Sequence, residues 1–230
     1  MKKLLYFFLG LMGLLSLLCS IAASSVTNAA LMKQGFLLNA QTDHLNVPPA
    51  RYADYAAAIT DYLNGKTDLP RVPAQDGSGS VKDAFQEKEN AHLRDVRGIV
   101  SFLKWARWLG GGGTIALIAA LYLAARDKQA LLFSLVRGFA LAAAFLLAVF
   151  TALAVWGAVN FDGLFWTFHK VFFTNDFWLL NPRTDLLMAL MPLSFFTWYA
   201  GEMIKSMLPV LGLMLLLIVA FLKKPKEKKQ

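Results

Sequence analysis

Of the three histidines in this chain, two sit where an imidazole can do chemistry. His169 lies inside an aromatic run, Phe165-Trp-Thr-Phe-His169-Lys-Val-Phe172-Phe173, within the longer stretch Asn160 to Phe196. A connector between membrane spans has no general need for that much Phe and Trp, nor for an imidazole among them. His92 has Glu89 and Asp95 three residues away on either side, within reach along one helix face. An imidazole titrating at about 6.5 can take up or release a proton near neutral pH. The third, His44, stands in the loop-like sequence Gln41-Thr42-Asp43-His44 and reads as a solvated surface residue. For His92 or His169 alone a structural role fits as well as a catalytic one. Their joint placement on one face of a membrane strengthens the catalytic reading.

Other chemistries lack their residues. There is no Gly-x-Ser-x-Gly elbow, no phosphate-cradling glycine loop and no His-Glu-x-x-His zinc helix. Two histidines on separate segments leave a zinc site two ligands short, so a metal-dependent hydrolase is a minor reading. Cys19 is the only cysteine; it lies in an apolar segment, reads as a small buried hydrophobe and excludes an internal disulfide.

The elements that must position the histidines are membrane helices. Hydrophobic residues are 57% of the chain and charged residues 17%, against about 45–50% and about 25% in soluble domains. Segments 4–23, 108–125, 138–159 and 198–222 are each apolar enough to cross a hydrocarbon core, which takes roughly 20 helical residues. No barrel-like alternation is visible, so helix is the expected form. Lys2 and Lys3, the Arg126–Arg137 connector and the lysine-rich tail after Leu222 carry the whole net charge of +8. All three fall on one side of a four-span topology, as the positive-inside rule expects. Both termini are therefore expected in the cytoplasm, with segments 24–107 and 160–197 outside. The charge reports orientation and anionic lipid rather than a nucleic-acid partner. The expected architecture is a single all-α membrane domain, 1–230, with a largely helical extracytoplasmic cap. Residues 1–23 read as an uncleaved span rather than a removable signal.

Along the outer segments, Ser24–Val47 has no sustained period and reads as irregular. Pro48-Pro49 opens an amphipathic helix carrying Tyr52, Tyr55, Ile59, Tyr62 and Leu63, which Asn64-Gly65 stops. Lys66–Ser80 reads as a flexible loop. Ser80 is the expected N-cap of a helix from Val81 to about Trp108, with Asp83 near its positive end. Phe85, His92, Val96, Ile99 and Leu103 form its apolar stripe. Gly110–Gly113 permits a bend, a close backbone approach or a simple joint before the second span. The third span is expected to begin after Arg137, whose side chain reaches the cytoplasmic surface.

Two motifs go further. Glu89-Asn-Ala-His92-Leu-Arg-Asp95-Val, followed by Phe165-Trp-Thr-Phe-His169-Lys-Val-Phe-Phe-Thr-Asn175-Asp176-Phe-Trp178-Leu-Leu-Asn-Pro182-Arg-Thr-Asp185, resembles the lipoprotein intramolecular transacylase Lit family. The Tyr52…Tyr62-Leu63 helix and Pro192…Phe195-Phe196 fit the same pattern, so the resemblance covers nearly the whole chain. It departs at Leu193, where many relatives are expected to carry an acidic residue.

The resemblance implies an acyltransferase of the bacterial cell membrane with no cofactor or metal, acting on diacylated lipoproteins. Such enzymes move the sn-2 acyl chain of a diacylglyceryl-cysteine to the α-amino group of the same cysteine, giving a lyso-form lipoprotein. The attacking amine and the ester belong to one molecule, so no protein nucleophile is needed; good intramolecular geometry is worth roughly 7–11 kcal/mol. An α-ammonium titrating at about 7.7–8.0 is within reach of a histidine base. On this reading His92 deprotonates the amine and His169 supports the developing oxyanion or the departing oxygen, and the two roles are interchangeable. Glu89 or Asp95 is then a candidate to orient His92, and Asp176 to serve His169. Each acid reads more readily as solvated charge or helix cap than as part of the site. Trp166, Phe172, Phe173 and Trp178 are candidates for an acyl groove. The rival reading is a non-catalytic protein that binds lipid or lipoprotein through the same aromatic groove.

Overall fold

The computed structural model describes residues 2–74 and 80–222. In chain order its elements are α1 (Lys2–Val26), α2 (Ala29–Asn39), α3 (Tyr52–Asn64), β1 (Arg71–Pro73), β2 (Val81–Asp83), α4 (Glu87–Ala124), α5 (Lys128–Val159), α6 (Phe161–Phe172), α7 (Leu186–Leu190) and α8 (Leu193–Leu222). Helices α1, α4, α5 and α8 are long and apolar enough to cross a membrane. In α4 the spanning part must follow Trp108, because Lys88, Arg94, Asp95 and Arg97 precede it. Leu109, Ile115, Leu123 and Leu216 are exposed along these helices, an apolar surface of the kind that lipid covers.

The chain divides into two compact units. One takes the described parts of Met1–Ile21, Lys104–Ala158 and Lys205–Gln230, and the other takes Ala22–Leu103 and Val159–Ile204. These limits follow the hydropathy boundaries closely. In the first unit α1 packs on α5 through glycines. A Cβ on Gly10 would meet the Phe139 Cα at 2.7 Å, and one on Gly138 would meet the Tyr6 carbonyl at 2.5 Å. Such approach is how helices gain contact where lipid removes the hydrophobic drive between them. Leu14, Leu18, Ala142, Ala143, Leu146, Val210 and Met214 fill the core beside it.

The second unit has its own core of Phe36, Tyr52, Tyr55, Ile59, Tyr62, Val72, Leu93, Leu190, Phe195 and Tyr199. Helix α3 behaves as its sequence predicts. Pro49 opens a 3-10 turn ahead of it, the five expected apolar residues are buried, and Gly65 ends it in the left-handed conformation at φ 81°.

Several other expectations are corrected. Ser24–Val47 is not irregular: α1 runs to Val26, and Asn28 then caps α2 by accepting from the Leu31 N–H. Its buried face is Met32, Gly35 and Phe36. Gly35 hides the helical period because it contributes no apolar side chain, yet a Cβ there would collide with Phe195. Lys66–Ser80 is not all loop either. β1 pairs antiparallel with β2, matching Arg71 to Asp83 and Val72 to Lys82, with Val72 fully buried. Three-residue strands are too short to show alternation. The strand also moves the helix start, so Ser80 is no N-cap and α4 begins at Glu87.

Gly110–Gly113 does not interrupt α4, which is helical through all four residues. A Cβ on Gly110 would meet the Ser16 Cβ at 3.2 Å, so close approach is the reading that holds there. Helix α5 begins at Lys128, ahead of the expected span, and the Arg137 guanidinium lies over the Phe221 ring. The lysine-rich tail after Leu222 and residues 75–79 of the expected loop lie outside the described residues.

Gly138→Ala places a methyl against backbone that cannot turn aside, so a loss of about 1–3 kcal/mol is expected. Gly112→Ala, with nothing within 4 Å, should be neutral or slightly stabilising. Unfolding midpoints in mixed micelles compare the two.

Candidate active site

The first turns of α4 place one half of the site. Gln86 donates its N–H to Glu89 Oε2 at 2.8 Å, the carboxylate half of a capping box. Glu89 Oε1 accepts the Leu187 N–H at 2.6 Å, from a residue 98 positions away. The carboxylate is 1% exposed, and an ionised group with two acceptor oxygens suits two backbone donors. Burial pushes its pKa up, while the Leu187 and Gln86 N–H groups oppose that shift. The same helix face holds the segment after α6 at three more points. Lys88 Nζ reaches the Leu179 carbonyl at 2.5 Å, Gln86 Nε2 reaches that of Thr184 at 3.4 Å, and Asp95 Oδ2 accepts from Asn175 Nδ2 at 2.9 Å.

The second half comes from α6. Asn160 caps it by accepting the Gly163 N–H at 2.8 Å. Gly163 is required there because a Cβ would fall 2.5 Å from the Asn160 amide. His169 is the buried residue of this helix, while Trp166, Phe168, Val171 and Phe172 are exposed.

These two supports bring His92 and His169 together, with ring centroids 6.1 Å apart and planes inclined by 33°. They are 9% and 7% exposed. Phe173 touches both, at 5.0 Å from His92 and 5.4 Å from His169. Phe165 and Trp178 complete the wall around His169, at 4.1 and 5.0 Å.

The hydrogen bonds make the two rings unequal. His169 Nδ1 lies 2.7 Å from the Phe165 carbonyl, which can only accept. The proton therefore sits on Nδ1, and a neutral His169 presents a bare Nε2. His92 Nδ1 is buried without a hydrogen-bond partner among the described residues. Nδ1 is thus an unpartnered buried atom in either tautomer of the neutral ring, an orphaned donor if protonated and an orphaned acceptor if not. Burial, and then the charge of His169, lower the His92 pKa to about 4, with Asp95 opposing. Burial also lowers that of His169, and the Phe165 carbonyl opposes. The carbonyl selects the tautomer of His169 and leaves its Nε2 as a lone pair; no such bond acts on His92 Nδ1.

An open apolar cleft of about 430 Å³ shares Phe173 with the pair, although neither imidazole lines it. Phe173 forms one wall; Ile99, Phe102 and Phe172 extend it, and Arg94, Asp95 and Asn175 give it a polar end.

A family model described as lipoprotein intramolecular transacylase Lit matches residues 6–196. The chain belongs to the Lit family. It is accordingly an acyltransferase and an integral membrane protein. Among solved structures it is similar to the Lit of Bacillus cereus in meso, at 18% identity and TM-score 0.67, covering 96% of this chain and 94% of that one. Two histidine variants of that protein, to arginine and to alanine, match at 21% and 20% identity and TM-scores of 0.63 and 0.59. Those two matches cover 97% and 96% of this chain, and 92% and 90% of theirs. No sequence among the curated proteins matches this chain.

On this Lit scaffold the sequence-derived residues separate. His92, His169, Phe173 and Trp178 come together, Phe172 lines the cleft, and Trp166 stands edge-on to Trp178 at 5.0 Å. Glu89 is bonded to two backbone amides rather than to a ring, and Asp95 to Asn175. Asp176 is exposed, and its carbonyl accepts the Leu179 N–H. His44 is exposed and bonds the Pro182 carbonyl at 3.0 Å. Among the described residues no three of His, Cys, Asp and Glu group as metal ligands. Sequence reading missed Asn175, Phe165 and Leu187. The buried α4 face also includes Glu89, Leu93 and Val100, and only the spacing of Leu93 and Val100 could have signalled it.

Two measurements test this geometry. In a nitrogen-edited titration His92 should stay neutral until about pH 4, and His169→Asn should raise its midpoint by removing a neighbouring charge. Above about pH 6.5 the ring is neutral folded or unfolded. As pH falls from there towards about 4 only the unfolded chain takes up the proton, so stability is lost across that window. Glu89→Ala leaves two amides unpaired at about 1–3 kcal/mol each, and exchange at the Leu187 amide should accelerate.

Proposed function

We propose that this protein moves the sn-2 acyl chain of a diacylglyceryl-cysteine lipoprotein to that cysteine's α-amino group. The reaction runs at the outer face of the bacterial cell membrane. The observation that carries this reading is the approach of His92 and His169 to 6.1 Å, with Phe173 shared between the pair and an apolar cleft. The family's name supplies the reaction class. The positive charge of Lys2, Lys3 and the Arg126–Arg137 connector supports cytoplasmic termini, with segments 24–107 and 160–197 outside and largely helical. The exposed Trp166, Phe168, Val171 and Phe172 of α6 support contact with lipid, which brings a membrane-anchored substrate to the site's depth.

The chemistry follows from the unequal rings. The neutral amine attacks the sn-2 carbonyl carbon, forming the C–N bond and an oxyanion. His92 Nε2–H donates to that oxyanion. The bare His169 Nε2 takes a proton from the nitrogen, and its Nδ1–H stays on the Phe165 carbonyl. The intermediate collapses, the C–O bond breaks, and His169 returns the proton to the departing sn-2 oxygen. The products are an amide and a free glyceryl hydroxyl, and His169 ends neutral. This assignment takes the second of the two orders that the sequence leaves open. The Phe165 carbonyl supports it, because it holds the Nδ1 proton of His169 and leaves Nε2 free to accept one.

His92→Asn and His169→Asn should each lower conversion by about 10²–10⁴-fold, read by mass spectrometry of lipoprotein N-termini. Both variants should remain membrane-inserted. Undiminished lyso-form in either stable variant overturns the mechanism.

A further inference from the structure

The polar end of the cleft has a use that the histidine pair does not supply. Asp95 is half-buried, one helical turn beyond His92, and anchored through one oxygen by Asn175 Nδ2 at 2.9 Å. It lines the same cleft as Phe173, the ring that touches both imidazoles. The anchor holds one carboxylate oxygen and leaves the other without a hydrogen bond among the described residues. Arg94, the other charged group there, is exposed.

We propose that the Asp95–Asn175 pair is the subsite for the substrate's α-amino group, with the Asp95 carboxylate accepting from its N–H. This rests on the transacylase reading above and adds the residue that aims the attacking nitrogen. The remainder of the cleft matches the ligand, since Ile99, Phe102, Phe172 and Phe173 offer an apolar wall to an acyl chain. An ammonium or amine is the polar group such a molecule brings to an anion. The carboxylate is worth more as the reaction proceeds. The nitrogen gains positive charge as it attacks, so Asp95 favours that state over the neutral amine. The charge of Asp95 is felt at His92, whose pKa it raises, which places both groups in one electrostatic environment.

The test uses an ether-linked dialkylglyceryl-cysteinyl peptide, which has no ester to transfer, and its α-N-acetyl counterpart, which has no basic amine. Binding of each to the full chain in lipid nanodiscs is measured at equilibrium. The free-amine peptide should bind at least about tenfold tighter, the worth of one charge-assisted hydrogen bond. In Asp95→Asn, which keeps an acceptor for Asn175, that preference should fall to about one. Asn175→Ala keeps the carboxylate but frees it, and should lower the preference partway. Should Asp95→Asn fail to insert, Asn175→Ala decides the question. An unchanged preference in either inserted variant, or none in the wild type, overturns the proposal alone. If neither peptide binds the wild type, the transacylase reading fails with it.

Discussion

The active half of this protein depends on the carboxylate of Glu89. One oxygen closes the first turn of α4 on Gln86, and the other holds Leu187, just ahead of α8. Because the group is buried and receives two amide donors, removing it would strand polar groups in the core. The rest of the zipper, from Asn175 to Thr184, runs along the same helix face. Since α6 enters this segment at Phe173, the zipper sets how close His169 comes to His92. A charged residue that looks like a second catalytic acid is thus the joint between the two halves of the site.

The second constraint is the inverted helix α6. In a protein surrounded by water, a helix of this composition would turn its Phe and Trp inward and its histidine outward. Here the imidazole is inside and the large apolar side chains are outside. The arrangement makes sense where the surroundings are themselves apolar. It also explains how an imidazole can be held among Phe165, Phe173 and Trp178 with a single polar contact, the Phe165 carbonyl. That contact selects the tautomer of His169 and leaves its Nε2 bare.

What could be read beforehand depended on whether the signal was local. The four spans, α3 between its proline and glycine punctuation, and the two histidines were legible because composition, period and residue type are properties of short windows. Helix α2 was missed because Gly35 interrupts its apolar count, although that glycine is where Phe195 packs. The β1–β2 hairpin was missed because each strand is three residues long. Glu89 was read as a partner for His92 because both share a helix face, whereas its donors are backbone amides that no sequence pattern marks.

By itself, then, the sequence determined that this is a four-span helical membrane protein of the Lit family with histidines at 92 and 169. Hydropathy, charge and motif spacing each act within reach of a few residues, which is why they survive without coordinates. Only the tertiary structure decided that the imidazoles stand 6.1 Å apart, that His169 presents a bare Nε2, and that Asp95 turns to Asn175. The approach of the rings and the Asp95–Asn175 bond join residues about eighty positions apart, and such long-range pairings exist only once the core has formed; the His169 tautomer rests on a bond four residues back in its own helix, which composition and period do not reveal.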